Sequence, residues 1–141
     1  MSINGMEIIC LHCEDGTSDK FYAVRIDNVG GSQPFQVVSS HGPAASPRAQ
    51  GNQVKGSFAT IDMAKNVQER LALEKTRKGY ININHPGYRG RLRTAQVLEK
   101  IDTSRLIGYN GVTTEVTVTA TIQITQTSNT GSTRAGRSIR I

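Results

Sequence analysis

Three groups of residues in this chain have the types and spacing to do chemistry. The first is Cys10-Leu11-His12-Cys13, with the C-x-x-C spacing of zinc and redox sites. Zinc takes four ligands, and there is no second cysteine pair to complete the set. A thioredoxin-like pair needs a helix N-terminus beneath it, and none is predicted here. If the segment is a strand, Cys10 and Cys13 point to opposite faces. The expectation is therefore a pair of buried, reduced thiols. The second group is His41 and His85, each in a Gly/Pro loop and each read as an exposed polar residue rather than a catalytic base. No Ser/His/Asp order, paired-carboxylate signal or phosphate-binding glycine loop stands out. Gly30-Gly31 lacks the spacing and the following helix of a dinucleotide fingerprint. The expectation is a protein that is not an enzyme, with no catalytic residue, metal site or cofactor.

The third group is basic: Arg48, Lys55, Lys75, Arg77, Lys78, Arg89, Arg91 and Arg93, with Tyr80 and Tyr88 among them. Several of these could share one surface near a helix C-terminus, with the tyrosines as stacking platforms. Such a mix follows a phosphate backbone without reading sequence. The alternative is a helix end decorated for its dipole, followed by a solvated loop. The 141-residue chain carries a net charge of +6, and a basic surface favours polyanions, most often nucleic acid. No apolar run approaches the ~20 residues of a membrane span. The N-terminus, MSINGMEIIC, lacks the basic and apolar regions of a secretory signal. The expected location is the cytoplasm, or a particle assembled there, with no membrane partner.

The element that must position these residues is the stretch Ser57 to Tyr80. Ile61, Ala64, Val67 and Leu71 fall three or four apart, on one stripe of a helix. Thr60 is a good N-cap, Asp62 suits the positive end of the dipole, and Lys75, Arg77 and Lys78 suit the negative end. Gly79 can take the left-handed conformation that closes a helix. Before it, Met6–Cys13 reads as a buried strand and Lys20–Ile26 as its hairpin partner. In the latter, Phe21, Ala23 and Arg25 face one way and Tyr22, Val24 and Ile26 the other. Phe35–Ser39 is a third strand, Ser40–Lys55 an unusually long loop, and Val54–Phe58 a short fourth strand. Tyr80–Ile83 is extended. The fold class is α+β: a small antiparallel sheet packed by one main helix, with a C-terminal β arm.

The order of these features resembles a family. A strand is followed by Lys20-Phe21-Tyr22, a further strand, Gly51-Asn52, a helix containing Ala64, and then Lys78-Gly79-Tyr80. This is similar to the WGR domain, the small sheet-plus-helix module of poly(ADP-ribose) polymerases and various bacterial proteins. The resemblance covers roughly residues 6–83. It places His41-Gly42-Pro43 on the family's Trp-Gly-Arg triplet, so only Gly42 is kept. In the polymerases the Trp packs against a nucleic-acid sugar near a strand end and the Arg contacts the backbone. The resemblance thus implies a nucleic-acid partner, DNA before RNA, with no sequence preference. His41 offers a smaller ring for stacking, and Pro43 has neither charge nor donor.

Residues 84–111 leave this pattern. Asn84–Gly87 is a turn, Tyr88–Arg93 a basic cluster, and Ala95–Ile101 a short helix started by Thr94. Thr113–Gln126 alternates strictly, with Val116, Val118, Ala120, Ile122 and Ile124 on one face of a strand. The chain therefore divides into a WGR-like domain over 1–83, a basic connecting segment over 84–111, and a β arm with a basic tail over 112–141. One functional expectation is a non-catalytic nucleic-acid-binding module. The other is a structural subunit of a large assembly, such as a viral capsid or tail component. In that case Val116, Val118, Ile122 and Ile124 would lie on an arm that pairs with a neighbouring subunit.

Overall fold

The computed structural model describes residues 5–109. The proposed arm, with Val116, Val118, Ile122 and Ile124, lies outside the described residues. Seven elements follow in order: β1 (Ile8–Asp15), β2 (Ser18–Asn28), β3 (Phe35–Pro43), β4 (Gly51–Phe58), α1 (Ile61–Thr76), β5 (Ile81–Asn82) and α2 (Thr94–Lys100). The five strands form one sheet of order β4-β3-β2-β1-β5 with antiparallel neighbours. An α+β fold with α1 packed on a small open antiparallel sheet is what the alternation and the helical stripe require.

The sheet is buried on both faces because its central strands are apolar at both parities. Ile9, Leu11, Tyr22, Val24, Ile26 and Val37 form one cluster with Ala64 and Ala72 of α1. Ile8, Cys10, Phe21 and Ala23 face the other way, against Leu92, Val97, Leu98 and Leu106. The basic segment after β5 is therefore a second lid. It is tied down by backbone bonds at both ends: Ile83 N–H to Cys10 O at 3.0 Å, and Ile107 N–H to Ile26 O at 3.1 Å. Both cysteines are free and buried, and they sit on opposite faces of β1 as the strand period dictates. Burial alone pushes the Cys10 thiol up to about 12.

Helix α1 starts where the sequence says, with Thr60 Oγ1 accepting the Met63 N–H at 3.3 Å. Its buried line is Ala64, Gln68 and Ala72, while Ile61, Val67 and Leu71 flank it half-buried. Small side chains at Ala64 and Ala72 let the helix approach the sheet. Gln68, fully buried between them, donates Nε2 to the carbonyls of Val24 at 2.9 Å and Glu7 at 3.3 Å. Its donor group is used in this way, while its Oε1 is buried without a hydrogen-bond partner among the described residues.

The expected Ser40–Lys55 loop is much shorter. β3 runs on to Pro43 and β4 begins at Gly51, leaving residues 44–50 as the connection. The missing signal has a physical cause. β4 is an edge strand with exposed Asn52, Gln53, Val54 and Lys55, so half-burial imposes no alternation on it. A bulge between Val37 and Val38 shifts the β3–β4 register as well.

Candidate nucleic-acid interface

The last turn of α1 is folded back on the sheet by its own closure. Gly79 has φ +102°, open to glycine at little cost, and Tyr80 N–H bonds to Lys75 O at 3.1 Å. This reversal brings the Tyr80 ring to 6.2 Å from that of Tyr22, edge to face at 66°. Lys75 Nζ lies 4.7 Å from the Tyr22 centroid and 5.7 Å from that of Tyr80. The two rings form a wall that fixes the ammonium by cation–π attraction.

In front of this wall is a groove of ≈ 630 Å³. Lys20, Lys55, Lys75 and Lys78 all line it, from β2, β4, α1 and the turn after α1. The acidic residues Asp19 and Glu74 also line it, and Gln50 and Gln53 add neutral polar groups. Burial, and then the charges of Lys78, Lys55 and Lys20, hold the Lys75 amine below the usual lysine range, with Glu74 opposing them. Burial raises the Tyr22 hydroxyl above its usual range, against a hydrogen bond with Ser39. Burial raises Tyr80 too.

His41 lies in the same groove, exposed, opposite Tyr22 on β2 and Gly51 on β4. A Cβ on Gly51 would come within 2.2 Å of His41 Cε1. The glycine therefore lets the imidazole lie down against the edge strand. Four ammonium groups around an exposed ring can bind phosphate oxygens by charge-assisted hydrogen bonds and leave the ring for a base or sugar.

The other sequence-predicted residues are elsewhere. Arg48 is exposed in the 44–50 connection, and Arg77 is exposed at the end of α1. Tyr88, Arg89, Arg91 and Arg93 belong to the lid on the opposite face, where Tyr88 packs against the Phe21 cluster. Tyr88 is no open platform. Its hydroxyl lies 2.7 Å from His12 Nδ1 and accepts the Leu92 N–H at 3.0 Å. Buried His12 in turn bonds through Nε2 to the Asp19 carboxylate. Arg89 and Arg93 donate to carbonyls of their own loop, Pro86 O at 3.3 Å and Gly90 O at 3.0 Å. The expected single basic surface is thus two: Lys55, Lys75, Lys78, Tyr80 and His41 come together, and the arginine cluster does not join them.

Sequence reasoning did not single out Lys20, Tyr22 or Glu74 as site residues. The signal for Tyr22 and Lys20 lay in the hairpin alternation and in Lys20-Phe21-Tyr22, but only the β2–β3 register puts Tyr22 against His41. Among the described residues no group of three or more His, Cys, Asp or Glu side chains is placed to hold a metal ion. No helix among them is long and apolar enough to cross a membrane. Comparison with models of known protein families, with curated proteins and with solved structures returns no match.

Proposed function

We propose that this chain is a non-catalytic, WGR-like nucleic-acid-binding module that grips the phosphate backbone through the groove beside α1. The observation that carries the reading is the convergence of Lys20, Lys55, Lys75 and Lys78 around the Tyr22–Tyr80 wall. The partner is DNA, bound without sequence preference, since ammonium groups on flexible stems neutralise phosphate and carry no base code. His41, in the place of the family's Trp, is the ring offered to a sugar or base.

The test is a titration of the protein with labelled single strand, duplex with a free end and closed duplex, each at low and physiological salt. Four phosphate contacts predict a slope of log K against log salt of about −3 to −4 on duplex. Binding that is weak on all three, gone at physiological salt and unchanged when Lys55, Lys75 and Lys78 become Gln would sink the proposal.

A second reading, a structural subunit joined through the C-terminal arm, has one described feature in its favour. β4 lies at the edge of the sheet with Val54 61% exposed, and an edge strand accepts another strand. Size measurement of the full chain against a chain ending at Gly111 separates the readings. Loss of an oligomer on truncation supports the subunit, and a monomer in both cases removes it.

A further inference from the structure

One amine in the groove differs from its neighbours. Lys20, Lys55 and Lys78 are exposed, whereas Lys75 is half-buried, with its nitrogen held against two aromatic rings. We propose that Lys75 is a modification site whose amine condenses with small aldehydes that carry a phosphate group, forming an imine. This rests on the reading of the groove as a phosphate site.

Two observations support it independently of each other. The first is crowding of like charge. A lysine next to other cations gives up its proton more readily and is then nucleophilic. Lys20, Lys55 and Lys78 all act on Lys75 in this direction, and burial adds to them. Glu74 favours the charged form, as do the Tyr22 and Tyr80 ring faces, yet the net effect holds the amine below the usual lysine range. The second is placement. The same three lysines are donors for the phosphate of an incoming aldehyde, and the ≈ 630 Å³ groove has room for a molecule of that size. Holding phosphate on the neighbours sets the carbonyl near Lys75 and makes the condensation effectively intramolecular.

The chemistry balances without a further reactant. The lone pair of neutral Lys75 Nζ attacks the carbonyl carbon and the C–N bond forms. Both amine hydrogens then leave with the carbonyl oxygen as water, and the C=N bond remains. Nothing is oxidised or reduced, and the step reverses by hydrolysis.

The experiment treats the full chain with pyridoxal 5′-phosphate or with pyridoxal, reduces the imine with borohydride, and maps the modified lysines by peptide mass spectrometry. We expect Lys75 to be labelled about tenfold more than Lys20, Lys55 or Lys78, and about tenfold less by pyridoxal than by its phosphate. Lys75→Arg removes this label, and Arg89→Gln, on the opposite face of the sheet, leaves it on Lys75. Label spread over the four lysines, or Lys75 spared, overturns the proposal. Equal labelling by the two aldehydes overturns it as well. The same preparation titrated with oligonucleotide keeps the two readings apart. Selective label without oligonucleotide binding ends the nucleic-acid reading alone, and oligonucleotide binding with scattered label ends the imine alone.

Discussion

The two faces of one sheet received similar sequence and made different things of it. Lys75-Thr76-Arg77-Lys78-Gly79-Tyr80 closes a helix on one face, and Tyr88-Arg89-Gly90-Arg91-Leu92-Arg93 crosses the other. Both are basic runs with an aromatic. In the first, the helix satisfies its own backbone, and two of the run's cations, Lys75 and Lys78, line a groove. In the second, the backbone is irregular, and Arg89, Arg93 and the Tyr88 hydroxyl are taken up by the loop's own polar groups. In this chain the basic run that lines a groove is the one whose backbone hydrogen bonds a helix has already supplied.

The contrast is broken most directly by moving charge. Neutralising Lys55, Lys75 and Lys78 together to Gln is expected to weaken oligonucleotide binding on the order of 100-fold at low salt and to reduce the salt slope by about 3. Neutralising Arg89, Arg91 and Arg93 should change affinity by no more than about twofold, by weakening the general field alone. A larger loss from the arginines than from the lysines, read by fluorescence anisotropy, would reverse the assignment of faces.

Next in size is the bond that makes the lid a lid. Tyr88→Phe removes the hydroxyl that serves both His12 Nδ1 and the Leu92 N–H. Leaving two partly buried groups unpaired costs about 1–3 kcal/mol. Thermal unfolding should show the loss, while oligonucleotide affinity of the folded variant stays at the wild-type value. Reduced affinity with unchanged stability would mean that Tyr88 is a stacking platform after all.

A smaller effect follows from Lys75. Its amine is held below the ordinary lysine value of 10.5, so its charge leaves at lower pH than that of an unperturbed lysine. Affinity for oligonucleotide should therefore begin to fall at lower pH in the native protein than in Lys75→Arg, whose charge does not titrate there. The sign for stability is opposite. In the window between the lowered and ordinary values the unfolded chain binds more protons, so raising pH favours the folded state at this residue. Parallel pH profiles for the two proteins would remove Lys75 from the interface.

The layout of strands and helix was legible because burial writes a period into sequence. Phe21 and Ala23 against Tyr22, Val24 and Ile26 mark the two faces of β2, and Thr60 marks the start of α1. The same strand held an unread signal. Apolar residues at both parities, together with the run Ile8–Leu11, require two covers, and only one long helix was available. The second cover is hard to see, since Leu92, Val97, Leu98 and Leu106 are scattered through polar residues on a seven-residue helix and irregular chain. Of the groove's lysines, Lys55, Lys75 and Lys78 were legible as members of one basic set, and Lys20 was not. Lys20 and Lys75 are brought together by packing between β2 and α1, which leaves no local pattern. Gln68 was missed for the same reason, its role being set by the carbonyls of Glu7 and Val24 across the core.

The finest test of the contrast is at Gly51. Its missing Cβ makes the space in which the His41 ring lies, and a methyl there would meet Cε1 at 2.2 Å and Nε2 at 2.5 Å. The obstacle is the end of an exposed, rotatable side chain, so Gly51→Ala should leave stability within about 0.5 kcal/mol. What changes is the ring, which must swing away from β4. If His41 serves the nucleic acid by stacking, Gly51→Ala should lower affinity several-fold, by the loss of about 1 kcal/mol of stacking, and His41→Ala should do the same with no additive loss in the double variant. The salt slope should not move, because no phosphate contact is lost. A slope that falls with the affinity would place a phosphate at His41, and unchanged affinity would confine binding to the lysines.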